Sequence, residues 1–326
     1  MEGRQAVAIR ILNAEPIGYS DEARAILRSV GELVEDRVAQ EQLAGRVSGF
    51  DALIVRLGLR VTRDVIESAD RLRAVVTGTT GLDHVDVAAC ADRRVAVLSL
   101  KDETEFLQTV AATAEHTWAL LLSLVRRIPW AFDSVRRGGW DRDAFRGREL
   151  AGRRLGILGF GRIGARVARY GRAFGMSVGA FDAGSPEVAA DVARFTSLDG
   201  LLAWSDVLSV HLPLDDTTRG LLGRERLALL PRGALLLNTS RGAVLDEDAL
   251  VGLLESGHLA GAALDVLCDE QSPARRAASP LMRYVEAHGN LLITPHLGGA
   301  TSESMRRVEI VMAEKLQRFL TTSHAS

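Results

Sequence analysis

RLGILGFGRIGARVARYGRAFGMSVGAFD, residues 154–182, is the stretch whose reading decides the fold. Leu155 to Leu158 form a short apolar run that leads into Gly159-Phe160-Gly161-Arg162-Ile163-Gly164. Beyond it Ile163, Val167, Tyr170 and Phe174 recur at helical spacing. Strand, glycine turn and helix therefore follow one another. Gly159 suits the tight turn, Gly161 lets backbone approach a pyrophosphate, and Gly164 lets the helix pack closely on the strand. The first-turn amides and the helix dipole make an anion site. A second apolar run, Met176 to Phe181, ends at Asp182, where a carboxylate would meet the adenosine ribose hydroxyls of a dinucleotide. A bare GxGxxG is common, and Asp182 could merely cap a loop. With strand, helix, second strand and terminal acid in register, the stretch reads as a dinucleotide site.

Working outward, 326 residues exceed the usual single core, so two domains are expected, and 47% apolar content gives each enough to bury. The 40 basic and 42 acidic residues leave a formal charge of -2, which points away from a nucleic-acid partner or an acidic tail. Cys90 and Cys268 show no CxxC or Cys/His spacing, so neither a disulfide scaffold nor a metal site is expected, and a reduced, cytoplasmic setting fits. No N-terminal segment has the order of a secretory signal. The longest apolar stretch, Thr109 to Val125, is interrupted by Glu115 and His116, so a buried or interface helix is expected there rather than a membrane span.

The first hundred residues alternate strand-like and helix-like patterns. Strands are expected at Ala6 to Leu12, Ala52 to Leu57, Leu72 to Val76 and Val95 to Leu98, with Asp21 and Thr62 as helix N-caps. This unit lacks a phosphate-binding fingerprint, but Thr77-Gly78-Thr79-Thr80-Gly81 is a small-residue loop past a strand, with amides available to a ligand. A long helical pattern runs from Thr104 to Ile128 and is broken by Pro129. Trp130, Phe132 and Trp140 follow, either as an arm with exposed aromatics, hence a partner surface, or packed on their own domain.

After the fingerprint, strands are expected at Val207 to Val210, Ala234 to Asn238, Ala260 to Asp265 and Leu291 to Ile293, with a helix from Asp246. Strands alternating with helices imply a doubly wound, mainly parallel sheet that binds ligands at the carboxyl ends of its strands. Three polar groups fall at those ends: Arg241, Glu270 and His296. Each alone reads equally as a surface or loop charge. Together they match the needs of ketone reduction by hydride, in which charge developing on oxygen requires a proton donor near neutral pH and a cation. Histidine is the usual donor, a carboxylate on its other ring nitrogen fixes the tautomer, and an arginine fork holds a substrate carboxylate.

The chain resembles the D-isomer-specific 2-hydroxyacid dehydrogenases, the NAD-dependent family of the D-lactate, D-glycerate and D-3-phosphoglycerate enzymes. The resemblance runs over nearly the whole length. It is carried by Gly159 to Asp182, His211-Leu212-Pro213-Leu214, Asn238-Thr239-Ser240-Arg241-Gly242, Gly261 to Val266, and Thr294-Pro295-His296-Leu297-Gly298-Gly299. It implies two Rossmann-like parallel-sheet α/β domains. A flavodoxin-like substrate domain would comprise residues 1–101 and 300–326, and an NAD domain residues 102–299. It implies that His296 is the acid/base, Glu270 its partner and Arg241 the clamp on the substrate carboxylate and carbonyl. Asp265 would contact the nicotinamide carboxamide and Thr218 would lie by the adenine end. Gly159, Gly161, Arg162, Ile163, Gly164 and Asp182 would form the cofactor turn, and His211, Pro213, Thr239, Ser240 and Gly298 would complete the NAD site. A homodimer through the cofactor domain and the 129–150 arm is also implied.

Some positions depart from the family pattern. Gln271 follows Glu270 where proline is usual, and Thr79-Thr80-Gly81 replaces a glycine-valine-glycine substrate loop. Arg56-Leu57 stands where phosphoglycerate-type enzymes carry arginine then serine, and Ser99 to Thr104 is lengthened. Thr79, Thr80 and Gly81 are therefore substrate-loop candidates. Arg56 and Lys101 either bind a second anionic group or form ordinary salt bridges. The expected activity is NAD-dependent reduction of a small anionic 2-oxo acid. An NAD-sensing scaffold or corepressor on the same fold, and a formate- or phosphite-type oxidase, are the alternatives. Asp182-Ala183-Gly184-Ser185 offers no arginine to a 2'-phosphate, so NAD is expected over NADP.

Overall fold

The computed structural model describes residues 8–184 and 187–322. Ala6 and Val7, at the start of the first expected strand, and Ser185, past Asp182, lie outside the described residues. The chain divides into two compact units, one of residues 1–107 with 301–326, the other of residues 108–300.

The first unit is a parallel sheet of β1 (Arg10–Asn13), β2 (Glu32–Glu35), β3 (Ala52–Val55), β4 (Ala74–Thr77) and β5 (Ala96–Leu98), in the order β2-β1-β3-β4-β5. That is the flavodoxin-like order. The central strands are buried on both faces, as their unbroken Ala, Leu, Ile and Val runs require in a sheet covered by helices. Successive residues of β3 serve opposite cores: Leu53 and Val55 pack with Phe50 and Val65, while Ala52 and Ile54 pack with Leu27. Met312, Ala313, Leu316 and Leu320 of the helix Ser302–Thr322 join the second of these cores, which is why the C-terminal helix belongs to this unit.

The second unit is a seven-stranded parallel sheet: β6 (Arg154–Leu158), β7 (Ser177–Phe181), β8 (Ala193–Arg194), β9 (Val207–Val210), β10 (Ala234–Asn238), β11 (Leu259–Leu264) and β12 (Leu291–Ile293). Its order is β12-β11-β10-β9-β6-β7-β8. Strand order reverses where β6 pairs β9, Leu158 beside Val210, and this is the switch point at which doubly wound sheets bind ligands. The expected fold class, two doubly wound parallel sheets, is the one observed.

Several local expectations are corrected. The pattern from Thr104 to Ile128 is not one helix. It breaks between Thr104–Gln108 and Ala112–Val125, and the turn of chain after Val125 carries Arg127 at φ +55°. Phe106 and Leu107 pack against the core of the first unit, and the compact unit runs to Leu107. Pro129 opens the helix Ile128–Arg136 rather than ending one, since proline is tolerated in a first turn. Ser20, not Asp21, holds the N-cap position of the helix Asp21–Val30. Thr62 caps Arg63–Ser68 as expected, without a side-chain cap bond. The aromatics of the arm divide: Trp130 packs on the core of the second unit, while Phe132 is 64% exposed and Trp140 is 90% exposed.

One buried polar cluster ties the C-terminal helix to the first sheet. Glu309, 6% exposed, pairs with the Arg56 guanidinium and accepts the Ser20 N–H at 2.7 Å, serving as a remote cap for the helix Asp21–Val30. Arg56 also donates to the Ile17 carbonyl at 2.9 Å. Removing one member of such a pair strands a charge out of water. Glu309→Ala should therefore lower denaturant stability of the first unit by about 3 kcal/mol. A loss below about 0.5 kcal/mol in urea unfolding would show the pair to be solvent-screened.

Candidate active site

The turn after β6 has the geometry a dinucleotide needs. Gly159 lies at φ +91°, and a Cβ there would stand 2.6 Å from the His211 carbonyl, so only glycine makes this turn. A Cβ on Gly164 would meet the Gly159 carbonyl at 2.1 Å, which records how closely the helix Arg162–Ala173 begins against the strand. At Gly161 nothing lies within 4 Å of the same added atom, leaving the helix N-terminus open to a phosphate. Gly161 is also the N-cap, and no side chain takes up the first-turn amides.

Asp182 follows β7 beside this turn. Its Oδ2 accepts the Phe160 N–H at 2.7 Å and Oδ1 the Gly184 N–H at 2.8 Å, which fixes the carboxylate while leaving lone pairs for ribose hydroxyls. The residues thus fit an adenine dinucleotide. The Arg162 guanidinium, by contrast, donates to the Val110 carbonyl at 3.0 Å, so only its backbone faces the turn, and Ile163 packs into the core.

On the other side of the switch point, Ser209 and His211 Nε2 are 2.8 Å apart. His211 is only partly buried by exposed area, but protein packed around the ring pushes its pKa down to about 3, so it is neutral at working pH. The Thr218 hydroxyl donates to the Pro213 carbonyl at 2.7 Å and closes the loop that follows β9. At the end of β10, the Thr239 and Thr117 hydroxyls are 2.8 Å apart, and the Ser240 hydroxyl donates to Asn238 Oδ1 at 2.7 Å.

Arg241 comes next, its carbonyl held by Asn238 Nδ2 at 2.9 Å and its Nη1 donating to the Ser240 carbonyl at 2.9 Å. A Cβ on Gly242 would overlap the Leu267 carbonyl carbon at 2.1 Å, so glycine brings the Arg241 loop against the loop that carries Glu270.

Backbone bonds staple the next two strand ends in sequence: Asp265 N–H to Asn238 O at 2.9 Å, Thr294 N–H to Leu264 O at 2.9 Å, and His296 N–H to Asp265 O at 2.8 Å. His296 itself has φ +55°, a region that L side chains rarely occupy. Its Nδ1 is in short contact with Glu270 Oε1, and both side chains remain partly exposed. Glu270 Oε2 accepts the Leu267 N–H at 3.1 Å, which orients the carboxylate. The neighbouring Asp269 turns away to Arg275 at 2.7 Å, so Glu270 is the partner of the histidine. Where the usual proline is replaced by Gln271, the turn is closed by Ser272 N–H to Asp269 O at 2.9 Å.

Asp265, 1% exposed, accepts from Thr294 Oγ1 at 2.6 Å, Leu297 N–H at 2.8 Å and Gly298 N–H at 2.7 Å, and from His116 Nε2 at 3.0 Å. Burial acts to raise its pKa, but the bonds from His116, Thr294 and Leu297 outweigh it and hold the carboxyl below its ordinary value. In the sequence His116 stands only as an interruption of an apolar helix. That was the available signal, because an imidazole on a buried helix requires a polar partner.

In the first unit, Thr79 Oγ1 donates to Gly81 O at 2.7 Å, and the Thr79 carbonyl accepts the Leu100 N–H at 3.0 Å, shaping the loop after β4. Lys101 is exposed. Of the two roles open to Arg56, the ion pair with Glu309 is the one its geometry supports.

The sequence profile described as D-isomer specific 2-hydroxyacid dehydrogenase, NAD binding domain, matches residues 118–298. The chain belongs to that family. It is 35% identical to the D-3-phosphoglycerate dehydrogenase of Methanocaldococcus jannaschii over 316 residues, which is 96% of this chain and 57% of that protein. It is 34% identical to the hydroxypyruvate reductase of Thermotoga maritima over 285 residues, 87% of this chain and 90% of that one. Among solved structures, D-lactate dehydrogenase from Aquifex aeolicus, complexed with NAD and lactic acid, matches with a TM-score of 0.82 at 29% identity, covering 96% of each chain. The chain spans about half the length of the phosphoglycerate dehydrogenases it matches, 57% in the archaeal protein and 52% in that of Bacillus subtilis.

The cofactor of this unit is NAD(H). The Asp182 carboxylate beside the ribose position should repel a 2'-phosphate. Asp182→Ala should thus narrow the preference for NADH over NADPH about tenfold or more in fluorescence titrations. Tighter binding of NADPH than NADH by the unmodified protein would contradict the assignment.

Proposed function

We propose that this chain reduces a small anionic 2-oxo acid to its D-2-hydroxy acid with NADH. The observation that carries the reading is the Glu270–His296 contact at the end of β12, in the same sheet as the switch-point turn. NADH supplies a hydride to the carbonyl carbon, and the protein must supply the accompanying proton. With Nδ1 occupied by Glu270, Nε2 of His296 is the atom that gives a proton to the carbonyl oxygen in reduction and takes it back in oxidation. Arg241 holds the substrate carboxylate through its planar fork. Thr79, Thr80 and Gly81 are proposed as substrate-loop residues.

We place the protein in the cytoplasm. No helix among the described residues is long and apolar enough to cross a membrane, and both cysteines are free. The assembly we propose is a homodimer through the arm, whose Ile128, Phe132, Val135 and Trp140 are exposed apolar groups. Light scattering should give twice the chain mass, and Trp140→Lys with Phe132→Lys should halve it. A monomer before substitution would refute this assembly.

A panel of 2-oxo acids, with and without a second phosphate group, should include substrates that consume NADH. No turnover with any acid would favour an NAD-binding scaffold. Arg241→Lys keeps the charge but loses the fork, so it should raise KM and lower kcat on the order of a hundredfold, with NADH affinity unchanged. Equal weakening of NADH and substrate would move Arg241 to the cofactor site.

A further inference from the structure

We infer that His116 is a positioning residue for the reaction, holding His296 against Glu270 by pinning Asp265 and Thr294 from the helix Ala112–Val125. The inference rests on the dehydrogenase reading for its kinetic readout only.

The helix around His116 is otherwise a core element. Ala114, Thr117, Trp118, Leu120 and Leu121 are buried, and an imidazole among them is costly to enclose unless bonded. Its Nε2 stands 3.0 Å from Asp265 Oδ1 and 3.0 Å from Thr294 Oγ1. Asp265 is ionised and can only accept, so Nε2 carries the hydrogen and shares it between the two oxygens. The Thr294 hydroxyl is itself donated to Asp265 Oδ1 at 2.6 Å, which closes a three-membered ring of contacts.

Two consequences follow for His296. The segment Thr294–Gly298 wraps the Asp265 carboxylate, giving it the Leu297 and Gly298 amides as well as the Thr294 hydroxyl. Within that wrap His296 sits at φ +55°, a strained backbone position of the kind that persists only where its surroundings over-determine it. Its own N–H reaches Asp265 O at 2.8 Å and Thr294 O at 3.0 Å, so both residues that His116 touches by side chain also hold the His296 backbone. Among the described residues, His116 is the only side chain bonded to Asp265 Oδ1 that comes from outside the loop and its flanking strand end. It anchors the wrap to a helix. Without that anchor the loop can still fold, but the His296 ring loses its fixed register with Glu270. Misplacement by about 1 Å is enough to cost on the order of a hundredfold in turnover.

The test compares His116→Leu, which removes the donor, with His116→Gln, whose amide donor reaches a similar point, and with His116→Asn, whose amide falls short. For the best 2-oxo acid of the panel, His116→Leu and His116→Asn should lower kcat on the order of tenfold to a hundredfold. KM and the NADH dissociation constant should stay within about threefold. His116→Gln should recover most of kcat. Independently of turnover, the unmodified protein should show a low-field proton resonance for Nδ1–H of His296, assigned by its loss in His296→Asn. That resonance should shift or vanish in His116→Leu and persist in His116→Gln. Should the leucine variant fail to fold, the asparagine and glutamine variants make the same comparison.

Unchanged kcat and an unchanged His296 resonance in His116→Leu would overturn the inference. So would a parallel fall in kcat, NADH affinity and melting temperature that glutamine does not relieve, since that marks a merely structural histidine. Absence of turnover in the unmodified protein would overturn the dehydrogenase reading alone, and the resonance would still decide the role of His116.

Discussion

A carboxylate that is almost wholly out of water organises this site. Asp265 could not stay ionised at 1% exposure without compensation, since an unpaired buried charge costs several kcal/mol. Its four donors, Thr294, His116 and the Leu297 and Gly298 amides, supply that compensation. The same bonds set the course of the loop that carries His296. Bonds to a charged group are the strong ones, on the order of 1.5–3 kcal/mol each, enough together to hold a backbone strain of about 1–3 kcal/mol. The energetics of one buried charge and the placement of the His296 ring are thus one problem with one solution.

That solution depends on sheet topology. Parallel strands deliver all their carboxyl ends to one edge, so Asn238, Leu264 and Ile293 end side by side, and the residues after them are linked by loop-to-loop backbone bonds. The reversal between β6 and β9 opens a crevice at the same edge, beside the glycine turn and Asp182. A cofactor seated there lies along the edge that carries His296 and Glu270, the proposed acid/base pair. The fold supplies the common edge, and the chemistry comes from the few residues placed on it.

Much of this could be read from residues alone, because it depends on local pattern. GILGFGRIG followed by a second apolar strand and an acid is a short-range signal, and so is the alternation of strands and helices that predicts both sheets. What the residues alone leave open or misplace depends on contacts distant in sequence. Phe106 and Leu107 look like part of a continuous helix until their packing against the first core is known. Arg56 has a buried partner 253 positions away, which no local rule reveals. His116 and Asp265 are 149 positions apart, and their bond appears only once the helix Ala112–Val125 lies on the sheet. Ser20 rather than Asp21 holds the N-cap position, and its amide is taken by Glu309, 289 positions away. Helix breaks at Thr109 to Ala111 carried no proline or glycine signal at all.

The central claim is that His296, held by Glu270, supplies the proton that accompanies hydride arrival. The most direct measurement is single-turnover oxidation of bound NADH by saturating 2-oxo acid in the unmodified protein and in His296→Asn, with NADH affinity determined on the same samples. The account predicts equal NADH affinity and a rate lowered by roughly a hundred to ten thousandfold. A rate within about threefold of the unmodified protein, or a loss fully explained by weaker NADH binding, would contradict it.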